Sequence, residues 1–181
     1  MARRATNVSR ARIQEVALTL FASQGYALTS LHEIAAELDV TKAALYFYFP
    51  AKAQLLHSLA APLLDAVRTL LDAYTDGPLA APARREVVGA LVDLLLAHRP
   101  VVAWLTRDLT ALAQPEIGAR IADNGDRLQR LLGGAETGAA GQVRAAAAVG
   151  ALTRPLAALA GQDLSALHDT LVAAALAPLN A

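Results

Sequence analysis

The apolar residues of this chain recur at intervals of three and four, and β-branched or aromatic runs alternating with period two are missing. That rhythm puts one stripe of side chains on each successive helix and offers no segment the two-faced pattern of a strand. Ser9 stands ahead of Ile13, Val16, Ala17, Leu20 and Phe21, an i, i+3, i+4, i+7, i+8 series that Gly25 ends. Ser30 and Glu33 have the spacing of a capping box before the shorter stripe Leu31, Ile34, Ala35 and Leu38. Asp39 and Val40 then separate that helix from a third, which starts near Thr41, turns Leu45 and Phe49 inward as i,i+4 partners and is stopped by Pro50. The expected fold class is all-α.

Composition narrows the class further. The chain has 181 residues, 55% of them hydrophobic, and a mean hydropathy of +0.38, which excludes a disordered tail and allows one good core or two small ones. Cysteine is absent, so thiol catalysis, cysteine-based zinc sites and disulfides are excluded together. The first apolar stretch is broken by Gln14 and Glu15, unlike a signal peptide, and no apolar run approaches the roughly 20 residues of a membrane span. No membrane contact and a cytoplasmic location are expected. Net charge is zero, yet residues 1–56 carry six basic and four acidic residues while the remainder carries ten and twelve. The sign is that of a basic head on an acidic body.

Beyond the head a long helix is expected from about Ala51 to Tyr74, kinked or divided at Pro62, followed by a loop over residues 75–82. Pro82 introduces a helix reaching Arg99, and another should run from Val101 to Ala113 with Val102, Leu105, Leu109 and Leu112 inward. Pro115 opens one to Leu132 with an irregularity at Asn124-Gly125, and residues 133–141 read as a flexible linker. Two closing helices, about residues 140–160 and 163–177, are rich in Ala and Leu. Val149, Leu152, Leu156 and Leu159 on one, with Leu171, Ala174 and Ala175 on the other, offer more apolar surface than a small domain hides, so a homodimer interface is expected there.

The stretch "LDVTKAALYFYFPAK", residues 38–52, holds both lysines of the chain beside a run of aromatics. With Leu45 and Phe49 filling the inward stripe, the residues between them cannot all be core. Two short helices joined by a tight turn have the layout of a helix-turn-helix, whose last helix lies in a DNA major groove. Thr41 and Lys42 would then meet phosphate at the helix N-terminus, Ala43 and Ala44 would let the backbone approach thymine methyls, and Tyr46, Tyr48 and Lys52 would reach phosphate oxygens.

The segment "LFASQGYALTSLHEIAAELDVTKAALYFYFPAKAQLL", residues 20–56, resembles the DNA-binding domain of the TetR/AcrR family of transcriptional regulators, with LF...GY..TS, EIA, V.K..LY.YF and K..LL in the family's order. The resemblance implies a helix-turn-helix domain over residues 1–50 and a helical ligand-binding and dimerisation domain over residues 51–181. It further implies a homodimer on a double-stranded DNA operator, commonly a repressor released by a small molecule. Carried over, Ser30 and His32 at the start of the second helix would meet the DNA backbone. His32 departs from the family's frequent Arg, and Asp39 from its commoner turn Gly; Asp tolerates the left-handed conformation better than most residues.

No catalytic pattern accompanies the head. The histidines, His32, His57, His98 and His168, lack HxH or HExxH spacing, and GxSxG, GxGxxG and phosphate-loop patterns are missing, so neither an enzyme nor a cofactor is expected. In the family the effector pocket lies within the C-terminal helices, and the Leu, Val and Ala content here favours an apolar effector. Tyr74, His98, Trp104, Asp108 and Arg154 are candidates to line it. Trp104 as a core residue, with Arg107 and Asp108 as a solvated pair, is an equal reading. A helical interaction protein, or a ligand-binding enzyme, that keeps a non-specific head is the alternative class.

Overall fold

The computed structural model of the chain describes residues 8–75, 77–133, 138–159 and 162–180. Among these residues there are ten α-helices and no strand: α1 (Arg10–Gln24), α2 (Leu31–Glu37), α3 (Lys42–Tyr48), α4 (Lys52–Asp72), α5 (Ala81–Ala97), α6 (Arg99–Leu105), α7 (Leu109–Leu112), α8 (Pro115–Leu132), α9 (Ala139–Ala158) and α10 (His168–Leu176). The all-α expectation holds. Residues 134–137 of the expected linker lie outside the described residues.

The first three helices start where their caps place them. Ser9 accepts from the Arg12 amide at 3.1 Å, Ser30 and Glu33 close both halves of a capping box, and Thr41 accepts from the Ala44 amide at 3.2 Å. Between α2 and α3 the chain reverses through Asp39 at φ 51°, the one non-glycine residue with positive φ among those described. Ile13, Phe21, Ile34, Leu45 and Phe49 meet beneath this turn, all buried.

Pro62 neither divides nor ends α4, which continues unbroken to Asp72. A proline at this position cannot donate to the carbonyl four residues back, which belongs to Ser58. That carbonyl accepts instead from Gln14 Nε2 at 3.1 Å, and the same nitrogen reaches Ser58 Oγ at 3.0 Å. The missing helix bond is thus replaced by a bond to α1, so α4 is fastened to the head in its first half. Its second half is fastened to α8 by the pairs Asp65–Arg120, Arg68–Asp123 and Asp72–Arg127. The paired numbers rise together, so the two helices run side by side in the same sense.

Two expectations for the body fail. The helix foreseen over Val101–Ala113 is two helices, because the Asp108 carboxylate caps the amides of Thr110 and Ala111 and starts α7 anew. Leu109, expected inward, is consequently 75% exposed. Nor is there an irregularity at Asn124-Gly125: α8 runs through it, and the Asn124 amide donates to the Leu64 carbonyl of α4 at 3.1 Å. Helix α9 ends against α6, where Arg107 bonds the Ala157 carbonyl and Arg99 bonds those of Leu159 and Gln162. These guanidiniums do for the α9 terminus what a C-cap does.

Candidate nucleic-acid interface and effector pocket

Helix α3 is anchored from below and open above. Leu45 and Phe49 are fully buried, while Thr41, Lys42 and Ala43 are exposed, Tyr46 is 39% exposed and Phe47 82%. Arg10 supports the far end, its Nη1 donating to the Tyr48 carbonyl at 3.3 Å and its guanidinium lying 4.3 Å from the centre of the Phe49 ring. Lys42 Nζ lies 5.3 Å from the centre of the Tyr46 ring, so the cation and the phenol share one face of the helix. Ser30 and His32 are exposed at the start of α2, whereas Ala44 and Tyr48 are half-buried. This brings Thr41, Lys42, Ala43 and Tyr46 onto one accessible surface. It also adds Phe47, which the sequence reading passed over although its place between two inward residues already turned it outward.

Lys52 is placed differently from the others. Its ammonium donates to the carbonyls of Tyr26 at 2.8 Å, Ala27 at 3.2 Å and Thr29 at 2.8 Å, and lies 4.4 Å from the centre of the Tyr26 ring. Three protons meeting three carbonyls leave no donor for phosphate in this conformation. Burial pushes its pKa below the ordinary lysine value, with the nearby Asp108 charge opposing. Here Lys52 braces the turn between α1 and α2, a role for which a phosphate-contact reading gives no warning.

That turn is the seam between head and body. Gly25 ends α1 at φ 89°, a conformation that favours glycine, and the chain then presents the Tyr26 amide to Asp108 Oδ2 at 2.6 Å. The same oxygen accepts from Trp104 Nε1 at 3.0 Å, while Oδ1 accepts from the Thr110 and Ala111 amides and the Thr110 hydroxyl. Phe21 stacks on Trp104 at 5.2 Å and meets Tyr26 edge-on at 5.4 Å. Burial raises the Asp108 pKa, but the donors from Thr110, Tyr26, Ala111 and Trp104 together outweigh it and hold it below the ordinary carboxylate value. One carboxylate therefore holds the end of α1, the indole of α6 and the start of α7. The reading of Asp108 as a solvated pair with Arg107 does not describe it, and the pocket that it borders is the cleft beside the head.

The body contains a separate apolar pocket of about 330 Å³ between α4, α5, α6, α8 and α9. Leu63, Leu64, Val67, Leu91, Leu95, Val102, Leu128 and Leu152 form most of its wall, and Thr106, Asn124 and Thr153 supply its polar side chains. None of the five expected lining residues borders it. Trp104 and Asp108 face the cleft beside the head, and Arg154 is exposed. Tyr74 bonds Glu86, its pKa raised by burial and then by that carboxylate, and His98 occupies the corner between α5 and α6. Polar residues drew attention by their chemistry, but a site set inside a helical body is lined by what faces inward. Thr106, Asn124 and Thr153 could be found only by their position among Leu and Val.

The expected dimer residues divide in the same way. Leu152, Leu156, Leu171 and Ala175 are buried within the chain itself, Val149 and Leu159 are partly buried against that core, and Ala174 is exposed. Four of these side chains are spent on the chain's own interior and have nothing left for a partner. Among the described residues no three His, Asp or Glu side chains gather as a metal site, and no single helix is long and apolar enough to cross a membrane.

Comparison with known proteins falls on the same two regions. The family described as "Bacterial regulatory proteins, tetR family" matches residues 13–59, from the first buried residue of α1 into α4. YuxN of Bacillus subtilis, an uncharacterized HTH-type transcriptional regulator, is 38% identical over 97 residues, which are 53% of this chain and 33% of that protein. The match spans about a third of that relative's length. Among solved structures, AmtR of Mycobacterium smegmatis superposes with a TM-score of 0.73 at 23% identity, over 100% of this chain and 90% of that one. A TetR-family regulator of Streptomyces coelicolor gives 0.74 at 18% identity, over 98% and 92%. At these identities the likeness of the body is one of fold.

Proposed function

We infer that this chain, which belongs to the TetR family of bacterial regulatory proteins, is a DNA-binding transcriptional regulator controlled by a small apolar effector. The observation that carries the reading is α3: its apolar side is fully buried in the head while its capped N-terminus, Lys42, Ala43, Tyr46 and Phe47 remain open on one surface. An exposed first turn with small side chains and free amides fits entry into a major groove, with Lys42 and Tyr46 on phosphate and Ala43 against base edges. Ser30 and His32 at the start of α2 flank that surface.

The division of labour runs at about residue 50, with residues 1–50 as the reading head and residues 51–181 as the sensing and dimerisation body. A homodimer would present two heads to a palindromic operator, with half-sites about 34 to 36 Å apart. The pocket between α4, α6 and α8 is the effector site, and its occupation acts on the head through α4 and the Asp108 clasp. An effector works only by preferring the arrangement that binds DNA less well, which makes repression relieved by the effector the natural mode.

Selection of duplexes from a random library by the purified protein at fixed, near-physiological salt tests this reading. A palindromic consensus is the expected result. An unenriched library from folded, dimeric protein would overturn it.

A further inference from the structure

The effector pocket contains one buried hydrogen-bonding group left half used. Asn124 is only 8% exposed, and its amide nitrogen is held by the Leu64 carbonyl at 3.1 Å. Turning the amide over would set its oxygen against that carbonyl, so the nitrogen's place is fixed and the oxygen is fixed with it. No side chain or backbone group among the described residues pairs with Oδ1, and the residue borders the pocket. Among the described residues Arg99 Nε is the one fully enclosed side-chain nitrogen or oxygen without a partner, so Oδ1 keeps some open surface, and an acceptor that opens on an apolar pocket is poorly satisfied.

The other two polar side chains there are committed in a way that sharpens the point. The Thr106 hydroxyl donates to the Val102 carbonyl at 2.8 Å and the Thr153 hydroxyl to the Val149 carbonyl at 3.2 Å. Their protons are spent within their own helices, so towards the pocket they offer oxygen lone pairs. Among the described residues no Lys, Arg or His lines the pocket. An anionic group placed here would be desolvated without a counter-charge.

We propose that the effector is an uncharged hydrophobe carrying a hydroxyl, which donates its proton to Asn124 Oδ1 while the rest of the molecule fills the Leu and Val wall. The inference rests on the pocket being the effector site. At about 330 Å³ the space lies at the small end of ligand pockets, which selects a small molecule over a large one.

Calorimetric titration of the full chain, free of DNA, with 1-octanol, its methyl ether and octanoate tests this. The alcohol and ether differ in the donor, and the carboxylate adds charge. The expected result is binding of 1-octanol about 3- to 10-fold tighter than the ether, the yield of one neutral hydrogen bond, with octanoate weakest. Asn124→Leu should keep ether binding and bring alcohol and ether level. Because that comparison is first made on the unaltered chain, a poorly folding variant does not decide it. Equal binding of alcohol and ether, or a preference for octanoate, would overturn the hydroxyl assignment and leave the pocket standing. Binding of none of the three would overturn the pocket reading itself.

Discussion

Head and body are stabilised by different means. Each of the first three helices starts on a side-chain cap from Ser9, Ser30 or Thr41, whereas α5, α6, α8, α9 and α10 start with none. In the body only α7 has one, and that cap is Asp108, the residue that also holds the head. In the seven-residue α2 and α3 these bonds satisfy first-turn amides that the helix itself cannot. The longer body helices rely on apolar packing, which tolerates a pocket in their midst. The head thus fixes its helix starts by local bonds, while the body packs its helices around a pocket.

Breaking the joint between them should have the largest effect. Asp108→Ala leaves the Tyr26 amide, the Trp104 indole and the start of α7 without their acceptor, and should cost about 2–4 kcal/mol in urea unfolding. The same carboxylate makes the joint acid-sensitive. Its folded pKa lies below its unfolded value, so its stabilisation is complete above about pH 4, the unfolded range, and is lost as pH falls through the folded value. Stability measured against pH should therefore fall more steeply on the acid side in the native protein than in Asp108→Asn.

Lys52→Ala separates bracing from DNA contact. It should cost about 1–3 kcal/mol of stability through three orphaned carbonyls and leave the salt dependence of duplex binding unchanged. A shallower salt slope with native stability would restore Lys52 to the phosphate contacts. Thr41→Ala should cost about 1 kcal/mol, the worth of an N-cap, and, on the proposed docking of α3, weaken duplex binding by fraying its first turn. The smallest stability effect belongs to Lys42→Ala: within about 0.5 kcal/mol of native in unfolding, but with the salt slope reduced by about 0.9, one phosphate contact.

The same contrast explains what could be read from the sequence. Ser9, the Ser30–Glu33 pair, Thr41 and the Leu45–Phe49 stripe act over three or four residues, so their roles are visible locally and the structure repeats them. Asp39 as the left-handed turn residue belongs with them. The break before α7 rests on a local signal that the sequence reading passed over, Asp108 two and three residues ahead of the amides it caps, while its hold on the Tyr26 amide is 82 residues away and was not legible. That α4 runs undivided through Pro62 was not legible, because the donor that takes up the Ser58 carbonyl, Gln14, lies 44 residues away. The pocket was hardest of all: Asn124 looked like a helix irregularity until α4 supplied the Leu64 carbonyl.

The claim joining these parts is that filling the apolar pocket changes the head's hold on DNA. Fluorescence anisotropy of the library-selected duplex, titrated with protein at fixed salt with and without saturating 1-octanol, tests it most directly. The account predicts a dissociation constant raised roughly five-fold or more, the lower end of allosteric coupling. An unchanged constant, with calorimetry showing the alcohol bound, would contradict it.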